Sequence, residues 1–184
     1  MDDKLQQSLK LTDEEVSQLT EIAKPFWEKG VSENPPKLVI LTGGVASGKT
    51  TMRRQKFSDG YVQFEYGDVY TAIKKVMDTE EEKLLKYAFF ASNLILKESL
   101  AAKKNIVTEI IGDNEALVSP IIDEMIKHGY KASINYVSCD PVEAYKRHLK
   151  AVKEDKDYWS AHFTQESTLL AFYQQLGLQV PTLI

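Results

Sequence analysis

Eight consecutive residues constrain this chain more than anything else in it: Gly43-Gly44-Val45-Ala46-Ser47-Gly48-Lys49-Thr50. They fit the pattern G-x-x-x-x-G-K-[ST] without deviation. Glycines let successive backbone N–H groups curl around phosphate oxygens, and a helix opening at the end of the pattern adds its positive end. On this reading Gly43 through Gly48, with Thr51 just beyond, cradle the phosphates of a nucleotide. Lys49 reaches the β- and γ-phosphates and the Thr50 hydroxyl is a Mg²⁺ ligand. ATP and Mg²⁺ are the expected cofactors. The flanks agree: Lys37 to Leu41 is a short apolar run, as a strand buried on both faces requires, and Thr50 to Phe57 is compatible with a helix.

Strand and helix patterns alternate from there on. Tyr61 to Tyr66 reads as a second strand, Asp68 to Met77 and Glu80 to Lys104 as helices, and Asn105 to Ile111 as a third strand. Asn114 to His128 is a helix ended by Gly129 at its left-handed cap, and Lys131 to Cys139 is a fourth strand. Asp140-Pro141 is an N-cap followed by Pro at the first helical position, opening a helix to about Lys153. A last helix is expected over Tyr158 to Leu176, with Tyr158, Trp159 and Phe163 in its core face, and a short fifth strand could lie in Leu178 to Ile184. Ahead of the loop, Thr12-x-x-Glu15 is a capping box opening an amphipathic helix that Pro25 should bend and that stops near Gly30. Such alternation predicts an α/β fold, a parallel sheet flanked by helices with an extra N-terminal helix. Residues 1–36 form the helical extension and 37–184 the nucleotide-binding domain, together a single globular unit.

Composition narrows the classes of function. Lys and Arg number 23 against 27 Asp and Glu, a net charge of −4, which disfavours a nucleic-acid or membrane-surface partner. The single cysteine, Cys139, excludes an internal disulfide and reads as a buried small hydrophobe. The start lacks a signal peptide and no apolar run reaches membrane-spanning length, so a cytoplasmic location is expected. No Asp is followed by Gly three positions on and none of the five Asn precedes Lys, so the switch and base-reading motifs of a GTPase are missing. The chain is too short for a motor ATPase. A small P-loop kinase remains, with its acceptor bound beyond the carboxyl ends of the strands.

Three further residues are candidates for that site. Asp68 follows the second strand, placed either to take the proton of an acceptor hydroxyl or simply to cap the next helix. Glu109, near the end of the third strand, can serve as a substrate ligand or a water-mediated Mg²⁺ ligand, or bind neighbouring backbone. Arg147, beside Lys146, Lys150 and Lys153, can neutralise a transferring phosphoryl group or pair with Glu143 on a solvated face. Arg53 and Arg54, which with Arg147 complete the chain's three arginines, are expected to face solvent rather than stack on adenine.

These residues resemble a known family, the zeta-toxin-type kinases. Pro36 through Thr50 is similar to that family's first strand and P-loop, and Glu65-Tyr66-Gly67-Asp68-Val69-Tyr70 resembles its acidic-x-x-Asp-x-aromatic segment. Asn105 to Gly112 and His128 to Val142 match its next two strands, and the likeness covers about residues 12 to 155. The resemblance implies an ATP/Mg²⁺-dependent phosphotransferase with Asp68 as catalytic base, Glu109 as an acidic substrate ligand and Arg147 as a lid arginine. It also implies UDP-N-acetylglucosamine as acceptor and a small helical antitoxin as partner. The chain departs from the pattern twice. Ile111 stands where the family has Thr, and no Arg follows Arg147, so a lysine such as Lys150 or Lys153 would replace the second lid arginine. Other kinases of small molecules or polynucleotide 5′-hydroxyls, and a non-catalytic nucleotide-binding module, stay open on the residues alone.

Overall fold

The computed structural model describes residues 2–111 and 115–153. The expected last helix, the aromatic residues on it and the fifth strand lie outside these. The elements in chain order are α1 Asp2–Leu9, α2 Asp13–Glu28, β1 Lys37–Gly43, α3 Lys49–Lys56, β2 Val62–Phe64 and α4 Tyr66–Lys74. They continue with α5 Glu81–Ala101, β3 Ile106–Ile111, α6 Glu115–Lys127, β4 Lys131–Tyr136 and α7 Pro141–Lys153.

The four strands form one parallel sheet in the order β2-β3-β1-β4. β1 occupies an inner position because it can bury both of its faces. Leu38 and Ile40 join Ile106 and Val62 in the larger core cluster, together with residues of α2, α4 and α5. Val39 and Leu41 point the other way and meet Val107, with Met52 and Phe57 packed against them. Period-two alternation of apolar residues on both sides is the signature of a strand covered by helices on each face. β4 differs. Its pattern is mostly exposed among the described residues, with Ile134 and Tyr136 open.

The capping box is present in full: Thr12 Oγ1 accepts from the Glu15 amide at 3.2 Å and Glu15 Oε2 accepts from the Thr12 amide at 2.8 Å. α2 then runs through Pro25 as one helix. Leu19 and Ala23 from α2 belong to the same core as the sheet, so the N-terminal extension packs with the rest of the domain. α1 was not expected from periodicity; only Leu5 and Leu9 of it pack against the core. β2 is shorter than expected because Glu65 already leaves the strand to become the N-cap of α4. Cys139 is only partly buried, not the buried small hydrophobe expected, because it follows the end of β4 at Tyr136 and stands between exposed Ser138 and Asp140. Asp140 caps α7 as expected, its Oδ1 accepting from the Glu143 amide at 3.0 Å.

Candidate active site

β1 ends at Gly43 and α3 begins at Lys49, so the loop between them opens at the carboxyl edge of the sheet. Gly43 (φ 141°) and Gly48 (φ 105°) adopt backbone conformations that side chains disfavour. A Cβ at Gly43 would lie 2.3 Å from the Val137 carbonyl oxygen, so this position also requires glycine for close approach. Gly48 is the N-cap of α3 and supplies no side-chain acceptor, which leaves the first amides of the helix for a ligand. Lys49 is buried, and its Nζ donates to the Gly43 and Gly44 carbonyls at 2.9 and 2.7 Å. Burial pushes its pKa down, against the pull of Glu109 and Glu65. The Ser47 hydroxyl is buried without a hydrogen-bond partner.

A cavity of about 590 Å³ lies over this loop, lined by Ala46 to Met52, Glu109, Val137 and Arg147 among others. The donors around it fit a magnesium nucleotide. Backbone amides and Lys49 suit phosphate oxygens, and the Thr50 hydroxyl with the Glu109 carboxylate offers the hard oxygens that Mg²⁺ prefers. Thr50 Oγ1 donates to Glu109 Oε2 at 2.9 Å. No cluster of three or more His, Cys, Asp or Glu suited to a metal exists among the described residues.

Asp68 sits in the first turn of α4, not at its cap. The cap is Glu65, whose Oε2 accepts from the Asp68 amide at 3.0 Å. This corrects the capping alternative and leaves the Asp68 carboxylate turned to side chains. Its Oδ2 accepts from Arg53 at 2.6 Å and its Oδ1 from Arg54 at 3.0 Å. The other edge of Arg53 donates through Nε to Glu109 Oε1 at 2.5 Å. Arg53 is 1% exposed, which overturns the expectation that it faces solvent; Arg54, at 62%, does so while still touching Asp68. Burial weighs against the Arg53 charge, but Asp68 and Glu109 outweigh it and raise its pKa. A sign of this was legible: Arg53 stands four residues after Lys49 and three after Thr50, on one face of α3.

Arg147 forms the expected pair with Glu143 and also borders the loop cavity. Its Nε meets Glu143 Oε1 at 3.2 Å in a half-exposed i,i+4 pair, and its side chain lines the loop cavity. A pair of this kind is worth a few tenths of a kcal/mol, so little holds Arg147 away from an incoming phosphate. Lys150 and Lys153 are exposed and do not line the cavity; Lys56 of α3 does. No helix among the described residues is long and apolar enough to cross a membrane.

No family model matches the sequence, and neither does any curated protein. Solved structures do. A chain of the PezAT chromosomal toxin–antitoxin system of the human pathogen Streptococcus pneumoniae is similar with a TM-score of 0.61 at 14% identity, over 90% of this chain and 72% of that one. The AvrRxo1-ORF1:AvrRxo1-ORF2 complex with sulphate ions gives 0.49 at 15% identity, over 80% of this chain and 49% of that one. The same pair of proteins with ATP gives 0.46 at 15% identity, over 81% and 48%. The fold implied by the resemblance to zeta-toxin-type kinases is therefore the fold observed: an α/β P-loop kinase-like sheet flanked by helices, shared with the PezAT structure.

Proposed function

We propose that the chain is an ATP/Mg²⁺-dependent phosphotransferase of the zeta-toxin type, acting on a hydroxyl of a small acceptor, with a UDP-amino sugar as the specific substrate class. The observation that carries this is the placement of the Asp68 carboxylate at the same sheet edge as an intact phosphate-binding loop, linked to Thr50 through Arg53 and Glu109. A phosphate loop alone would serve a switch or a binding module. A carboxylate tied to it through Arg53 and Glu109 adds what hydroxyl phosphorylation needs, a group to accept the proton.

Bound ATP with Mg²⁺ supplies an activated phosphoryl group and part of the neutralisation of its charge. The chain does the rest. The amides from Gly44 to Gly48 hold the phosphates, and Lys49 exchanges its two backbone carbonyls for phosphate oxygens. Thr50, backed by Glu109, holds the metal side. Asp68 accepts the proton of the acceptor hydroxyl as it attacks, and Glu109 orients the acceptor. Arg147 swings from Glu143 to meet the charge on the transferring group, a motion that breaks a half-exposed ion pair. The toxin–antitoxin context of the PezAT structure supports an antitoxin as partner, which the family resemblance makes a small helical one.

The deciding experiment incubates the protein with γ-labelled ATP and Mg²⁺ against UDP-N-acetylglucosamine, other UDP-sugars, nucleosides and 5′-hydroxyl oligonucleotides. Label on a UDP-amino sugar is the expected result. Transfer to an oligonucleotide instead would replace the acceptor class, and transfer to nothing would refute the kinase reading.

A further inference from the structure

The structure assigns to Arg53 the role of a positioning residue that sets Asp68 against the nucleotide site. The inference rests on the kinase reading above and goes beyond it, since that mechanism notes the Arg53 link but assigns Arg53 no role in the reaction.

Three elements end at the carboxyl edge of the sheet here: β1 running into α3, β3, and β2 running into α4. Because the sheet order is β2-β3-β1, β3 separates the strand that carries the phosphate loop from the strand that leads to Asp68. Arg53 bridges this gap. It is anchored on α3, one turn past Thr50, and its guanidinium uses three different nitrogens. Nε binds Glu109 on β3 at 2.5 Å, one terminal nitrogen binds Asp68 on α4 at 2.6 Å, and the other binds the Gln63 side-chain oxygen on β2 at 3.2 Å. Gln63 is in turn tied to the chain after α3, its Nε2 donating to the Phe57 carbonyl at 3.2 Å.

The result is an unbroken relay from the Thr50 hydroxyl through Glu109 and Arg53 to Asp68. A cation that is 1% exposed and engaged by two carboxylates is not free to bind phosphate. Its charge is already matched, so what it can contribute is geometry. A planar guanidinium holds three acceptors at fixed angles, which the single ammonium of a lysine does not. Arg54 also touches Asp68, but from a side chain that is 62% exposed, and so holds it weakly.

The test is Arg53→Lys, which keeps a cation between the carboxylates and removes the fork. The full chain is assayed with γ-labelled ATP and UDP-N-acetylglucosamine, and melting temperature confirms folding. Misplacing a catalytic group by about 1 Å can cost on the order of 100-fold, so kcat is expected to fall roughly 30- to 100-fold. KM for ATP should stay within about threefold, because the Arg53 side chain makes no hydrogen bond to the phosphate loop itself and a lysine can still pair with Glu109. In an Asp68→Asn background the same substitution should cost less than about threefold, since a group acting through Asp68 has little left to position. A loss in KM for ATP, or a loss that is equal in both backgrounds, overturns the role while leaving the kinase reading intact. Absence of any phosphoryl transfer by the wild-type protein refutes the kinase reading, and this role with it. Should Arg53→Lys fail to fold, Arg53→Met combined with Asp68→Asn removes one charge of each sign. Its rate should match Asp68→Asn alone within about threefold, and a further tenfold drop would overturn the role.

Discussion

Glu15 joins the N-terminal extension to the body of the domain, and its carboxylate should show up in the pH dependence of stability. It closes the capping box of α2 and accepts from two residues of α5: Tyr87 Oη at 2.6 Å and Lys83 Nζ at 2.6 Å. Lys83 first, then Tyr87 and the Thr12 amide, pull its pKa from the ordinary 4.5 down to about 2. A difference of that size corresponds to at most about 3 kcal/mol. Lys83 is half-exposed, and screening by water reduces the contribution to about 1–2 kcal/mol. The sign follows from the direction of the shift. A carboxylate with a depressed folded pKa contributes fully above pH 4.5 and loses its contribution as pH falls toward 2. Glu15→Gln removes the charge and keeps one acceptor oxygen, for either the Tyr87 hydroxyl or the Thr12 amide, so the pH-dependent part of the loss reports the charge. Urea unfolding followed by circular dichroism, at constant ionic strength from pH 7 downward, should find the variant about 1–2 kcal/mol less stable at pH 7. The gap should narrow steadily below pH 4.5. A gap that is absent at pH 7, or that stays constant between pH 7 and pH 3, would refute the reasoning.

Three further outcomes are expected. Lys49→Ala should reduce ATP turnover at least about a hundredfold, read by ADP release, because the buried ammonium is the side-chain cation of the phosphate loop. Asp68→Asn should leave nucleotide affinity within about threefold, by titration with a fluorescent ATP analogue, and cut phosphoryl transfer by about 10²–10⁴; an unchanged rate would remove Asp68 from the chemistry. Gly43→Ala should abolish nucleotide binding and lower the melting temperature, since its Cβ would lie 2.3 Å from the Val137 oxygen in a conformation that already costs about 1–3 kcal/mol for a side chain.

Local chemistry made much of this protein legible before its fold was known. The phosphate loop needs glycines at fixed places, and β1 needs apolar residues on both faces, so residues 37 to 50 are nearly self-describing. The α7 cap at Asp140 and the α2 capping box are equally local. What escaped depends on tertiary neighbours. Arg53 reads as a helix-surface cation until Glu109 and Asp68, 56 and 15 residues away, are brought to it by the sheet order. Glu65 displaced Asp68 from the cap because β2 stops at Phe64, and short strands give weak boundary signals. α1 carries too few apolar residues for its periodicity to stand out, yet two of them suffice for packing.

The register of β1 also bears on when the site comes into being as the chain is synthesised. Its partners are Ile106–Ile111 on one side and Lys131–Tyr136 on the other, and the Thr42 carbonyl accepts from the Val137 amide at 2.8 Å. The motif most visible in the sequence thus depends on residues made roughly 90 positions later, about 5–20 s at ordinary rates of synthesis. Until β4 arrives, Gly43 has no Val137 carbonyl to pack against and β1 has a partner on one edge only. A nascent chain ending before Lys131 should carry the full phosphate-loop sequence and bind no nucleotide. The phosphate loop is in this sense completed late in the growing chain, once β4 has paired with the oldest strand of the sheet.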